Sequence, residues 1–269
     1  MRAAVALALG AALVAAACSS PASSPGGSGG ANATELTVFG AASLKGVLAK
    51  AKTAYEATHP EVRLTISTDS SAALETQIEQ GAPADVFLSA DTSNPRKLVD
   101  KGLADGSARA FATNLLIVIV PAANPAAVKS PLDLARPGIK IVAAGEAVPI
   151  SKYAAQLIAN LASQPGYPAD FAARYTSNVV SHEDNVGGVV AKVELGEADA
   201  GIVYRTDASA STKVAPITVP PEANVPATYA GVVVKASPHR PAAGAFLDWL
   251  GGADGQALLG TFGFLPPTS

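Results

Sequence analysis

The chain has 269 residues, 49% hydrophobic, 5% aromatic and 15% charged, with a formal net charge of −3. That is enough apolar material for one large core or two modest ones. Lys and Arg form no block and do not interleave with aromatic residues, so no nucleic-acid partner is expected, and a net-negative chain that binds an anion must hold it by local donors rather than by its overall field.

Arg2 precedes an apolar run, Ala3 to Ala17, and then Cys18. The run is too short for a permanent membrane span and has the layout of a secretory leader, so residues 1–17 are expected to be a signal peptide. Leu13-Val14-Ala15-Ala16-Ala17-Cys18 resembles a bacterial lipobox, with Ala where Leu is usual three places before the cysteine. The resemblance implies cleavage before Cys18 and a lipid anchor on it. Cys18 is the only cysteine, so the mature body has no thiol for a disulfide, a metal or a nucleophile. Loss of Arg2 with the leader leaves 18 basic against 22 acidic side chains. Residues 18–34, after the lipidated Cys, are rich in Ser, Pro, Gly and Ala and read as a flexible tether.

From Leu36 the chain alternates short apolar β runs with segments of helical spacing. Strands are expected at Leu36–Phe39, Val62–Ser67, Val86–Ser89, Leu115–Val120, Ile139–Ala143, Gly201–Tyr204, Ala215–Val219 and Tyr229–Lys235. Helices are expected at Leu44–Thr58, Ala72–Gln80, Pro95–Lys101, Pro131–Leu134, Lys152–Ala162, Pro168–Tyr175, Val186–Leu195, Pro241–Leu250 and Ala253–Thr261. Strand followed by helix, repeated, argues an α/β fold with parallel sheets. Two long apolar runs, Asn114–Val120 and Tyr229–Lys235, suit either ordinary core strands or two crossings between lobes. In the second case residues 35–114 plus 228–269 make a discontinuous lobe and 115–227 the other, with the ligand between them.

Four strand-to-helix corners share one chemistry. Ser43 follows the first strand and Ser71 the second, each where an N-cap is expected. Pro149 opens a third helix and leaves the N–H of Ile150 free in its first turn. Asn185 stands at the start of a fourth, followed by Val186. Tyr204 closes a strand and offers a phenol as donor. A helix start is favourable for an anion without any Lys or Arg. Each corner alone suits a plain helix cap; converging on one cleft, they would surround a small anion with neutral donors.

Ala41-Ala42-Ser43-Leu44, Ser70-Ser71 before Leu74, Gly81-Ala82-Pro83-Ala84-Asp85-Val86-Phe87-Leu88-Ser89-Ala90-Asp91, Val148-Pro149 before Tyr153-Ala154, Asn185-Val186 and Gly201-Ile202-Val203-Tyr204 occur in that order. From about Leu36 to Phe264 the chain thus resembles the periplasmic molybdate-binding proteins of ABC transporters. The resemblance implies a two-lobed periplasmic-binding-protein fold of type II, two α/β lobes joined by two crossing strands with the ligand in the interlobe cleft. It implies molybdate or tungstate as ligand, with no cofactor and no directly bound metal cation. Ser43, Ser71 and Tyr204 would bind through hydroxyls, Ile150 and Val186 through backbone amides. It further implies a monomer outside the cytoplasm, serving an ABC permease and its ATPase. Two departures from the family pattern stand out, Ile150-Ser151 in place of Ala-Gly and Gly187-Gly188 after Val186.

A cage of donors without acceptors disfavours an oxyanion that carries a proton, because its O–H would find no partner. The competing readings are the same fold with sulfate or another small oxyanion, and an enzyme on this fold. The second has little support: no Gly-x-Ser-x-Gly elbow is present, and His182 with Glu183 and Asp184 lacks metal-ligand spacing.

Overall fold

The computed structural model describes residues 33–267. The signal segment and Cys18 lie outside the described residues. The first strand, β1 (Thr34–Ala41), runs through a 3-10 turn (Ala42–Leu44) into α1 (Lys45–Thr58). β2 (Val62–Asp69), α2 (Ser71–Glu79), β3 (Val86–Ser89) and α3 (Ser93–Asp100) follow. The long strand β4 (Ala104–Asn114) leads at once into β5 (Leu116–Pro121). A 3-10 turn (Pro131–Ala135) precedes β6 (Ile141–Ala144), α4 (Pro149–Ala162), α5 (Phe171–Ser177) and β7 (Val179–Glu183). Then come α6 (Val186–Glu194), β8 (Ala200–Tyr204), the single turn α7 (Arg205–Ser209) and β9 (Val214–Ile217). β10 (Ala227–Val234), α8 (Arg240–Gly251) and α9 (Ala253–Thr261) close the body. Among the described residues no helix is long and apolar enough to cross a membrane.

The strands form two five-stranded sheets, in the orders β2-β1-β3-β10-β4 and β7-β6-β8-β5-β9. The expectation of parallel sheets needs correction, because both sheets are mixed. β1 is parallel to β2 and β3, but β10 is antiparallel to β3 and β4. Likewise β6 is parallel to β7 and β8, while β5 is antiparallel to β8 and β9. The reversed strands are those next to the passages between sheets. The chain leaves the first sheet through Asn114-Leu115-Leu116 and returns between Ile217 and Ala227. The two passages are fastened to each other by the Asn224 side chain. Its Oδ1 accepts from the Leu116 N–H at 3.0 Å and its Nδ2 donates to the Leu116 carbonyl at 2.9 Å, as a neighbouring strand would.

Two strands escape the sequence pattern. β4 is exposed over most of its first seven residues and β7 alternates weakly, with Val180 58% exposed. Both are edge strands, so neither needs the continuous apolar run that marks a buried one.

Apolar packing is close where helices meet sheets. At Gly201 in β8 an added Cβ would lie 2.8 Å from Val189 Cγ1 and 3.2 Å from the Val142 carbonyl. Only the missing side chain lets α6 lie this near β6 and β8. One core cluster runs from Leu36, Leu44 and Leu48 through Tyr229 to Val142, Val186 and Val203, so it joins the two sheets. The parallel strands β1, β2, β3, β6, β7 and β8 end at Ala41, Asp69, Ser89, Ala144, Glu183 and Tyr204, and the corners singled out in the sequence follow these ends.

Candidate functional site

Ala41, Ala42, Ser43, Ser70, Ser71, Ala90, Val148, Pro149, Asn185, Val186 and Tyr204 line one inner pocket. Side chains beyond strand ends of both sheets therefore converge, as ligand clefts in α/β sheets require. The lining includes no Lys, Arg or His. The pocket is small, about 10 Å³, and shares Ser70 and Val148 with a cleft of about 700 Å³ bordered by Asp69, Thr76, Glu146, His182, Glu183 and Asp184.

Ser43 and Ser71 are buried, and neither is an N-cap. Ser43 lies inside the 3-10 turn, and α1 is preceded by Leu44 at its cap position. Ser70, not Ser71, occupies the cap position of α2, and no side chain caps that helix. The two hydroxyls serve other partners. Ser43 Oγ lies 2.8 Å from Tyr229 Oη. Ser71 Oγ accepts from the Ala90 N–H at 3.0 Å.

The Tyr204 hydroxyl is buried and has no hydrogen-bond partner among the described residues. Burial drives its phenol well above the ordinary range, with smaller contributions from Tyr229, Tyr153, Asp207 and Asp91. It is thus a protonated donor in the pocket wall, and leaving a buried hydroxyl unpaired costs about 1–3 kcal/mol. An acceptor in the pocket would relieve that cost. The Tyr204 N–H is held by Asp207 Oδ2 at 3.2 Å. Asp207 is itself pushed up to about 7 by burial, against the smaller opposing effect of that bond.

Val186 and Ile150 behave differently. Val186 is the first residue of α6, and Asn185 before it is a true N-cap, with Oδ1 accepting from Gly188 N–H at 3.2 Å. Val186 lines the pocket, and its N–H lies in the first turn of α6, where the helix itself supplies no acceptor. Gly187 has a reason to be glycine, since a Cβ there would lie 3.1 Å from the capping Asn185 Oδ1. Ile150 does not line the inner pocket. Val148 and Pro149 do, while Ile150 faces the groove between α4 and α5, beside Tyr175. Its backbone N–H is in the first turn of α4, the only route by which it could serve the pocket.

Residues absent from the sequence-based set complete the geometry. Asn185 Nδ2 donates to Asp69 Oδ1 at 3.0 Å, linking α6 to the end of β2. Behind Ser43, Tyr229 is packed edge-to-face on Tyr204, with ring centroids 5.5 Å apart. Asn114 Nδ2 donates to Thr206 Oγ1 at 2.8 Å and reaches Tyr229 Oη at 3.5 Å. Both Asn114 and Tyr229 begin long apolar β runs, and a polar group at the head of such a run was the available signal. The Gly81–Asp91 motif acts as scaffold: Asp85 accepts from the Thr37 N–H at 2.6 Å, and Asp91 from Ser89, Ser93 and Asn94. His182 stays at the outer cleft, 3.4 Å from the Ala144 carbonyl.

Against known proteins, a family described as bacterial extracellular solute-binding protein matches residues 36–265. The molybdate-binding protein ModA of Mycobacterium tuberculosis is 36% identical over 236 residues, covering 87% of this chain and 86% of that one. The Azotobacter vinelandii periplasmic molybdate-binding protein superposes with a TM-score of 0.71 at 25% identity, covering 87% of this chain and all of that one. The sulfate-binding protein SubI of M. tuberculosis gives a TM-score of 0.76 at 22% identity, with 87% of each chain covered.

Proposed function

The chain belongs to the bacterial extracellular solute-binding protein family, and on that premise we propose that it captures molybdate between its lobes and delivers it to an ABC permease and its ATPase. Its fold is the two-lobed type II periplasmic-binding fold that the sequence resemblance implied. The reading rests on one observation above the rest. Ser43, Ser71 and Tyr204 bring three hydroxyls, with no cation among the lining residues, to one pocket that Val186 also lines; the first-turn amides of Val186 and Ile150 complete the proposed donor set.

A tetrahedral dianion offers acceptors in every direction and no proton, which matches such a cage. The inner pocket at about 10 Å³ holds only about one water-sized sphere. Capture therefore requires the lobes, 35–114 plus 228–269 and 115–227, to part at Asn114–Leu116 and at the return passage, then to close. Tungstate, of similar size and the same charge, is expected to bind as well. The role is binding rather than catalysis, the protein works as a monomer, and Cys18 carries the lipid that tethers it outside the cytoplasmic membrane.

Calorimetric titration of the body from Thr34 onward with molybdate, tungstate, sulfate and phosphate tests the reading. Tight binding of the first two, with sulfate and phosphate silent, is expected. Sulfate binding with molybdate silent would replace the ligand; silence toward all four would overturn the oxyanion cage.

A further inference from the structure

We infer that the segment Gly263–Leu265 is a third, non-covalent connection between the two lobes, a strap that limits how far they open. The inference rests on the two-lobed capture proposed above, and its first readout needs no ligand.

The chain passes between the sheets at Asn114–Leu116 and again between Ile217 and Ala227. After α9 it comes back to the first of these passages. Gly263, with a φ of +90°, turns the chain out of the helix in a conformation that glycine adopts freely. Leu265 then pairs antiparallel with Thr113, one residue before the passage. The Thr113 N–H donates to the Leu265 carbonyl at 2.8 Å and the Leu265 N–H to the Thr113 carbonyl at 2.9 Å. β4 is the edge strand of the first sheet, so the pair covers that edge where the chain leaves it.

The second lobe grips the same segment. Arg205 begins α7 directly after β8. Its Nη2 donates to the Gly263 carbonyl at 3.0 Å, and its backbone N–H donates to the Leu115 carbonyl, inside the passage, at 2.8 Å. One residue thus holds both the covalent crossing and the strap. Between these bonds Phe264 is buried edge-to-face on Tyr229, with ring centroids 5.4 Å apart. Tyr229 in turn packs on Tyr204 of the pocket. The Asp69–Asn185 bond lies on the ligand side and must break for the cleft to open. A link beside the pivot is different: it stretches little in a small swing and more in a wide one, so it permits opening and limits its amplitude.

The test measures lobe separation directly. Thr76 and Ala147 are exposed and both border the outer cleft, one from each lobe. The body from Thr34 onward contains no cysteine, so nitroxide labels on Thr76→Cys and Ala147→Cys give a single distance by pulsed electron paramagnetic resonance. Arg205→Ala removes the guanidinium, and Leu265→Pro removes the donating N–H. Each should lengthen and broaden the ligand-free distances and leave those of the molybdate-bound protein unchanged. Molybdate Kd should rise about tenfold, the scale of one net hydrogen bond lost from the closing equilibrium. Arg205→Lys keeps a donor and should restore most of the wild-type distribution. Arg205→Ala carries the test should Leu265→Pro fail to fold. Ligand-free distances that match wild type in Arg205→Ala would overturn the inference, even with a lowered melting temperature, because a segment that only stabilises the fold shifts melting alone. A wild-type protein silent to molybdate and tungstate would overturn the proposed function, while the ligand-free distances would still decide the strap.

Discussion

Tyr229 holds its hydroxyl 2.8 Å from that of Ser43, a partner 186 positions earlier in the chain. The bond joins the strand returning from the second sheet to the first strand-to-helix corner. It also frees Ser43 from the helix-capping role that its local sequence suggests. Ser71, bonded by the Ala90 N–H, is freed in the same way. Neither serine caps its own helix, and both line the inner pocket.

Ser43→Ala and Ser71→Ala should therefore weaken molybdate binding without unfolding the protein. Each loses a hydrogen bond to a charged ligand, about 1.5–3 kcal/mol, or about 10- to 150-fold in Kd. Thermal melts of the free variants should drop modestly, because each substitution also removes a buried hydrogen-bond partner, that of the Tyr229 hydroxyl or of the Ala90 N–H. A large drop in melting temperature with unchanged Kd would assign the serines to stability instead.

Asp69 and Asn185 bridge the two lobes at 3.0 Å. Asp69→Ala breaks this link but leaves the Asn185 cap on Gly188 intact. The variant should release molybdate faster, about tenfold, with its association rate little changed, since most affinity differences lie in dissociation. Asn185→Ala should show the same acceleration and in addition lose about 1 kcal/mol of stability through the missing cap. Stopped-flow dissociation and denaturant unfolding separate the two effects.

The corners, most strand positions and the apolar faces were legible in the sequence because they depend on neighbours within a few residues. The partners of Ser43 and Asp69 were not, because Tyr229 and Asn185 are brought to them only by the fold. Ile150 shows the same limit from the other side. Its place after Pro149 marked a free amide, but nothing local disclosed that its side chain would turn into the α4–α5 groove. The edge strands β4 and β7 were missed because half-exposed strands lack the apolar run that identifies central ones.

Asp207 makes stability depend on pH in an unusual direction. Its folded-state pKa is raised from 3.8 to about 7, so folding takes up a proton between those values. The contribution is complete below the unfolded value and is lost as pH rises toward the folded one. Relative to Asp207→Asn, the wild type should lose stability as pH rises from about 4 to about 7. Denaturation midpoints of the pair across that range check this. A difference that stays flat, or that grows in the wild type's favour with rising pH, would contradict the buried, proton-holding carboxyl.

Gly201→Ala should disturb both stability and binding. The new Cβ would press on Val189 and on the Val142 carbonyl, pushing α6 away from β8. Overpacking of this kind costs about 1–3 kcal/mol. Because α6 carries the Val186 amide, molybdate affinity should fall together with the unfolding midpoint.

The most direct measurement is a crystal structure of the body grown with molybdate, with the molybdenum located by its anomalous scattering. The account predicts one strong peak between the lobes, its oxygens within hydrogen-bond distance of Ser43, Ser71 and Tyr204 hydroxyls and of the Ile150 and Val186 amides. A peak in the outer cleft beside Glu146 and His182, or an occupied inner site whose oxygens bypass these hydroxyls, would contradict the neutral donor cage.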